Sequence, residues 1–177
     1  MRAISASSSK IRSLPVVNYS ATIFWMVFRG TTQLRKGRFS EASRIYHVIS
    51  STHQRTPVFR SLQKGRVLVR AMLLEQKAGY AVTLAFVIMP DHLHWLLKLT
   101  GDRPLSVCVN AVKSGSAREI NELSKCRGQF WQKGFYDRAI RYNDDIVSVA
   151  RYIIANPLRA GLVDSIRNYS LWDAIWV

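Results

Sequence analysis

Acidic residues are what this 177-residue chain most conspicuously lacks: 11 Asp and Glu stand against 26 Lys and Arg, the formal net charge is +15, and no acid precedes Glu41. The imbalance runs along the chain rather than sitting in a tail, so the natural partner is a polyanion. Binding to a membrane surface usually requires one basic amphipathic helix, and none is apparent, which favours nucleic acid. Cysteine is scarce too. Cys108 and Cys126 form no CxxC pair and match no familiar zinc spacing, so a disulfide scaffold is excluded and both read as free thiols of a reducing cytosol. Long apolar runs are missing as well. The most hydrophobic N-terminal piece, Leu14 to Phe28, carries Asn18, Ser20 and Thr22, is short for a bilayer, and has no clean small-x-small cleavage site.

With 48% apolar residues, the chain has enough material for one well-packed core. Residues 1–34 read as a basic N-terminal extension, and a single domain is expected over 35–177, its ordered part starting near Ser43. Up to residue 40 the basic residues are Arg2, Lys10, Arg12, Arg29, Arg35, Lys36 and Arg38. A solvated arm and a backbone-contacting arm fit that pattern equally well.

Within the domain, Arg44 to Ser51 alternates Ile45, His47 and Ile49 with Tyr46, Val48 and Ser50, the period of a strand. Phe59 to Lys77 follows Pro57 and spaces Phe59, Leu62, Val69, Met72 and Leu73 as one face of a helix, with Arg60, Lys64, Arg66 and Arg70 on the wet side. Ala81 to Met89 and His92 to Leu99 read as two strands of a hairpin turned by Pro90-Asp91. A second helix is expected from Leu105 to Leu123, with Cys108, Val109, Val112, Ile120 and Leu123 inward and Lys113, Ser114, Ser116 and Arg118 outward. Phe135 to Arg141 suits a fourth strand. Asn143-Asp144-Asp145 reads as a cap opening a last helix that Pro157 ends near Asn156. The order is that of an α+β ferredoxin-like βαββαβ antiparallel sheet with an added C-terminal helix.

Chemistry enters at His92-Leu93-His94. Strand side chains repeat every two residues, so both imidazoles leave one face and suit one divalent ion if a third ligand comes from elsewhere. Taken alone, such a pair is more often structural, its nitrogens satisfied by neighbouring groups. His47 and His53 have no motif around them and read as structural or solvent-facing. In the last helix, Ser148, Tyr152 and Asn156 recur every four residues as a polar stripe. Laid beside the histidine face, Asn156 offers an oxygen ligand and Tyr152 stands next to the ion. A phenol, with a reference pKa of about 10, becomes a useful nucleophile when a cation stabilises the phenolate and a metal polarises a phosphate. The plain alternative is a tyrosine packing its ring at a helix–sheet seam.

These residues together resemble a family. His92-Leu93-His94 is similar to the His-hydrophobic-His signature of HUH single-strand nucleases. With Tyr152-Ile153-Ile154-Ala155-Asn156-Pro157-Leu158-Arg159-Ala160-Gly161-Leu162-Val163, the chain resembles REP-associated tyrosine transposases, relatives of the insertion-sequence transposases that move single-stranded DNA. Val87 to Leu97, Phe130 to Arg141 and, more weakly, Arg35 to Val48 support the likeness, which covers about Arg35 to Trp172. The resemblance implies His92, His94 and Asn156 as ligands of Mg²⁺ or Mn²⁺ and Tyr152 as the nucleophile, with Tyr136 and Tyr142 as second choices. It also implies cleavage of single-stranded DNA beside small hairpins, leaving a 5′-phosphotyrosine and a free 3′-hydroxyl, with repetitive extragenic palindromes as targets. The stretch Ser40-Glu41-Ala42-Ser43 departs from the family in lacking a glycine-rich pair.

Lys113, Arg118, Arg138 and Arg141 are the candidate phosphate contacts. The expectation is a cytoplasmic, nucleoid-associated, monomeric transposase with no membrane segment, although dimers occur among the insertion-sequence relatives. Two other readings stand beside it: a ferredoxin-like nucleic-acid-binding module without chemistry, and a metal nuclease that activates water.

Overall fold

The computed structural model of the chain describes residues 43–141 and 144–176. The extension expected over residues 1–34, together with Tyr142 and Asn143, lies outside the described residues. The elements are β1 (Ile45–Ser51), α1 (Leu62–Lys77), β2 (Ala81–Met89), β3 (His92–Leu99), α2 (Leu105–Leu123), β4 (Tyr136–Ala139), α3 (Ile146–Ile154), a short α4 (Asn156–Arg159) and β5 (Trp172–Ala174). The sheet order is β4-β1-β3-β2-β5, with every neighbouring pair antiparallel. Its first four strands have the 4-1-3-2 order of a βαββαβ unit, so the fold is α+β and ferredoxin-like. The edge strand β5 was not anticipated from sequence.

The two-residue turn at Pro90-Asp91 sets Met89 opposite His92 and thereby the register of β2 on β3. Alternation then sorts β3 between two layers. Leu93, Trp95, Leu97 and Leu99 join Tyr46, Val48 and Ile88 under Val67, Leu68 and Met72 of α1 and Cys108, Val109, Val112 and Ile120 of α2. On the other face Leu96 joins Leu84, Ala85, Val87 and Met89 under Ala150, Ile153 and Ile154 of α3. Each fully buried side chain of this size contributes roughly 1.5–3 kcal/mol. The indole N–H of Trp95, which would otherwise be stranded, donates to Thr83 Oγ1 at 3.1 Å.

Several details differ from the sequence expectation. Phe59 is buried from a separate 3₁₀ turn, Val58–Arg60, and the helix restarts at the cap Ser61, so its phase is reset. Val67, Leu68 and Met72 therefore face inward while Leu62 and Leu73 are exposed. On α2 the buried stripe runs through Val109, Val112, Lys113, Ser116 and Ile120, and Leu123 is exposed. Lys113 and Ser116 lie one turn from Val109 and Val112 on the inner face, which corrects their expected outward position. The Lys113 ammonium donates to the carbonyls of Gln132, at 2.8 Å, and Gly134. The Ser116 hydroxyl donates to Val112 O and accepts from the Trp131 indole. Helix α3 is capped by Asp145, whose carboxylate accepts from the N–H groups of Val147 and Ser148. It stops at Ile154, and Pro157 lies in the first turn of α4 instead of ending α3. Cys108 and Cys126 are both free thiols, and burial, then Glu75, pushes the Cys108 thiol up to about 12.

Gly65, in mid-helix, marks where the C-terminal segment crosses α1: a Cβ there would stand 2.5 Å from Leu171 Cδ1. Gly65→Val is expected to destabilise the fold by about 1–3 kcal/mol through overpacking, and Leu171→Ala in the same chain should recover part of that loss. Urea unfolding of the two single variants and the double variant measures the coupling; additive effects would show that the clash is not felt.

Candidate active site

His92 opens β3 and His94 follows two residues on, on the face that α3 covers. Their Nε2 atoms meet at 3.1 Å. The remaining nitrogen of each ring is also engaged. His92 Nδ1 lies 2.5 Å from Asp91 Oδ1, and the other oxygen of that carboxylate accepts from Arg55 Nη1 at 3.2 Å. His94 Nδ1 lies 3.1 Å from His47 Nε2. Sequence reading assigned His47 no role, yet β1 pairs with β3 so that His47 stands opposite Leu96, diagonal to His94 on the same face. Arg138 of β4 stands opposite His47 from the other side, and Tyr136 opposite Ile49.

Arg55 is a second residue that sequence reading missed. It follows Gln54, and both backbones lie in the left-handed region, at φ 52° and 55°, which costs L-residues roughly 1–2 kcal/mol each. Thr52 anchors the loop on the turn, its N–H donating to Asp91 O at 2.9 Å. The strained loop thereby returns the Arg55 guanidinium to Asp91.

Burial disfavours the charged form of His47 and of His94. Burial, followed by the charge of Arg138, lowers His47 to about 4. Burial, then His47, His92, Arg159 and Arg55, holds His94 well below its ordinary value. For Asp91, burial pushes upward, but the hydrogen bond and charge of His92 and the charge of Arg55 outweigh it and keep the carboxyl below its usual value. The result is an acid held in its ionised form and two imidazoles, His47 and His94, kept uncharged, as metal binding favours.

Tyr152 and Asn156 flank the break between α3 and α4 and share one partner, Arg159. Its Nη2 donates to Tyr152 O at 2.6 Å and to Asn156 Oδ1 at 2.8 Å, and its guanidinium lies 3.9 Å from the centre of the Tyr152 ring. The Asn156 amide N–H donates to Ile153 O at 2.7 Å, so its Oδ1 is the acceptor that Arg159 meets. Three of the other described tyrosines are committed elsewhere. Tyr46 is in the core, Arg103 covers the Tyr80 ring, and the Tyr169 hydroxyl donates to Ile88 O and is pushed up to about 12 by burial and then Asp91. Among the described residues no three His, Cys, Asp or Glu side chains converge as a metal cluster, so an ion at the histidines needs a donor of another type, such as an amide oxygen.

Of the basic candidates, Arg138 lies on the histidine face and pairs with Asp144 at 3.1 Å, and Arg141 is exposed just beyond β4. Arg118 is exposed on α2, in the opposite layer. Among the described residues no helix is long and apolar enough to cross a membrane.

The 4-1-3-2 sheet, with a His-hydrophobic-His pair on its α3 face, forms a ferredoxin-like α+β domain. The family model described as "Transposase IS200 like" matches residues 41–156, and the chain belongs to that family. The chain is similar to a Haemophilus influenzae protein named REP-associated tyrosine transposase, with 27% identity over 97 residues, 49% of this chain and 55% of the relative. It thus spans about half the length of that curated relative. The solved structure of a REP-associated tyrosine transposase bound to a REP hairpin shares the fold at a TM-score of 0.64 and 20% identity, covering 76% of this chain and 79% of that one.

Without divalent metal, neutral burial of His47 makes stability depend on pH. The unfolded chain takes up a proton near 6.5 that the folded chain refuses down to about 4. Stability is therefore fully present above 6.5 and is lost as pH falls towards 4, by roughly 3 kcal/mol at most from this residue. In EDTA, His47→Gln should flatten the pH dependence of the urea midpoint between 6.5 and 4; an unchanged slope would show that His47 does not supply it.

Proposed function

We propose that this chain is a metal-dependent transposase that cuts and rejoins single-stranded DNA beside a hairpin, with Tyr152 as nucleophile and His92, His94 and Asn156 as ligands of Mg²⁺ or Mn²⁺. The observation that carries this reading is the meeting of two Nε2 atoms at 3.1 Å, with each Nδ1 held by another group. Two nitrogens about 2.1 Å from one ion stand roughly 3.0–3.4 Å apart for ligand angles between 90° and tetrahedral. The pair therefore fits a shared ion, and Asn156 Oδ1 is the oxygen donor on offer. When bound, the ion supplies Lewis-acid polarisation of a phosphate and stabilisation of a nearby phenolate.

The chain's own residues would do the rest. Asp91 and His47 hold the imidazoles in orientation. Arg159 steadies the phenol ring by stacking its guanidinium on it. Tyr152 Oη attacks phosphorus, forming a P–Oη bond as the bond to the 3′ oxygen breaks; the phenol proton leaves to water and the 3′ oxygen takes one up. The 5′-phosphotyrosine ester conserves the linkage, so a 3′-hydroxyl can reverse the step and join a strand. Arg138 and Arg141 are the phosphate contacts nearest the histidine face, and a net charge of +15 favours a polyanion. Arg118 would meet only a stem that reaches the far layer. Packing of α3 on its own chain's sheet supports action as a monomer. The neighbour of the same fold bound to a REP hairpin makes REP-type palindromes the first substrate to try, which would place the protein on the chromosome in the bacterial cytoplasm.

The test is incubation with labelled single-stranded hairpin DNA in Mn²⁺ or EDTA, followed by a denaturing gel. A covalent protein–DNA adduct is expected in Mn²⁺ and is expected to fall to background in EDTA, in Tyr152→Phe and in His92→Ala. Cleavage without an adduct would identify a water-using nuclease. Binding that is salt-sensitive, indifferent to EDTA and never accompanied by cutting would identify a binding module.

A further inference from the structure

Arg55 stands where stability alone gives it little reason to be. Its loop leaves β1 and clamps the turn between β2 and β3 from two sides. The Thr52 N–H and hydroxyl both donate to Asp91 O at 2.9 Å, and the Phe59 N–H donates to Pro90 O at 2.9 Å. None of these anchors uses the Arg55 side chain. Gln54 and Arg55 nevertheless both hold left-handed backbones, at roughly 1–2 kcal/mol each. What the Arg55 side chain gains in return is one ion pair with Asp91, the two side chains being 37% and 23% exposed. A pair that open to water is worth roughly 0–1 kcal/mol. The strain exceeds the return, and strain that stability does not repay, held rigidly beside a site, points to function.

The guanidinium is placed to take a ligand. Both of its contacts use Nη1, with Asp91 Oδ2 at 3.2 Å and His92 Nδ1 at 3.5 Å. Among the described residues Nε and Nη2 are unused, and they form the edge by which an arginine grips a phosphate through two oxygens. The other arginines near the histidines are more committed: Arg138 Nη2 to Asp144, and Arg159 Nη2 to Tyr152 O and Asn156 Oδ1. His92 turns Nδ1 towards Arg55 and Nε2 towards His94, so Arg55 and an ion shared by the two Nε2 atoms would lie at opposite edges of one imidazole. The ring between them keeps the guanidinium off the phosphate that the ion polarises and leaves it beside the next phosphate of the same strand. We propose that Arg55 binds the backbone phosphate adjacent to the one that is cut, and so holds the strand in register with Tyr152. A guanidinium is charged at every working pH, so the contact needs no change of protonation. This inference rests on the proposed strand cleavage, and its test separates the two.

Once wild-type protein has mapped the cut, hairpin DNA is made with an uncharged methylphosphonate in place of the phosphate on one side of it or the other. Adduct formation in Mn²⁺ is then timed at limiting DNA. At one of the two positions the methylphosphonate is expected to slow wild type by about 10–100-fold, the loss of one charge-assisted pair. Arg55→Ala should be slow by a similar factor on natural DNA and lose little more on that methylphosphonate. Hairpin binding in EDTA, followed by fluorescence anisotropy, needs no cut. There Arg55→Ala is expected to lower the slope of log Kd against log salt by about 0.7, one single-strand phosphate contact. Arg55→Gln can still hydrogen-bond Asp91 but carries no charge; it should match Arg55→Ala in both readouts, and it decides the matter if Arg55→Ala fails to fold. Losses that add at both neighbouring phosphates, an unchanged salt slope, or full activity in Arg55→Gln would overturn the role of Arg55 and leave strand cleavage standing. Wild type that binds hairpins but forms no adduct overturns the proposed chemistry, and the salt slope then decides Arg55 by itself. Wild type that binds no hairpin overturns both.

Discussion

Everything at the site depends on the alternation of β3, a central strand buried on both faces. Leu93, Trp95, Leu97 and Leu99 belong to the core under α1 and α2, while His92, His94 and Leu96 face α3. A slip of one residue would drive Trp95 into the site and the imidazoles into an apolar layer, so the hydrophobic effect itself holds the histidines where they are. The turn at Pro90-Asp91 sets the register and also supplies the carboxylate that orients His92. One short sequence thus fixes strand pairing, side-chain face and a hydrogen-bond partner for His92 together.

The site is also an exercise in keeping charge low among cations. Arg55, Arg138 and Arg159 all act on the histidines, and Asp91 is the acid bonded directly to one of them. Burial and these guanidinium groups work in the same direction, disfavouring imidazolium. Arg159 joins the two halves of the helical motif: it bonds Tyr152 O and Asn156 Oδ1 across the break at Ala155, so the phenol and the amide are positioned relative to each other by a side chain as well as by helical pitch.

Sequence periodicity was enough for the hairpin bounds, the bounds of α2, the ferredoxin order and the shared face of His92 and His94, because each follows from local spacing. What escaped it depended on distant partners. His47 sits in an ordinary strand pattern, and only its register against β3 brings its Nε2 to His94. Arg55 is reached through a left-handed loop that no propensity announces. Lys113 reads as a wet cation until the carbonyls of Gln132 and Gly134 are seen to meet its ammonium. The three residues of β5 are too few to show a period, and they become a strand by pairing with Ala85 to Val87.

The unequal strand lengths have a colloidal consequence. The three inner strands have seven, nine and eight residues, while the edges β4 and β5 have four and three. Short edges expose few unpaired backbone groups to a second sheet, and the excess of positive charge repels another copy at long range. Copies crowded side by side on one nucleic acid would have that repulsion screened by the phosphates. The brevity of β4 and β5 is then the remaining guard against edge-to-edge aggregation, and lengthening either strand in an engineered variant would test solubility before it tested catalysis.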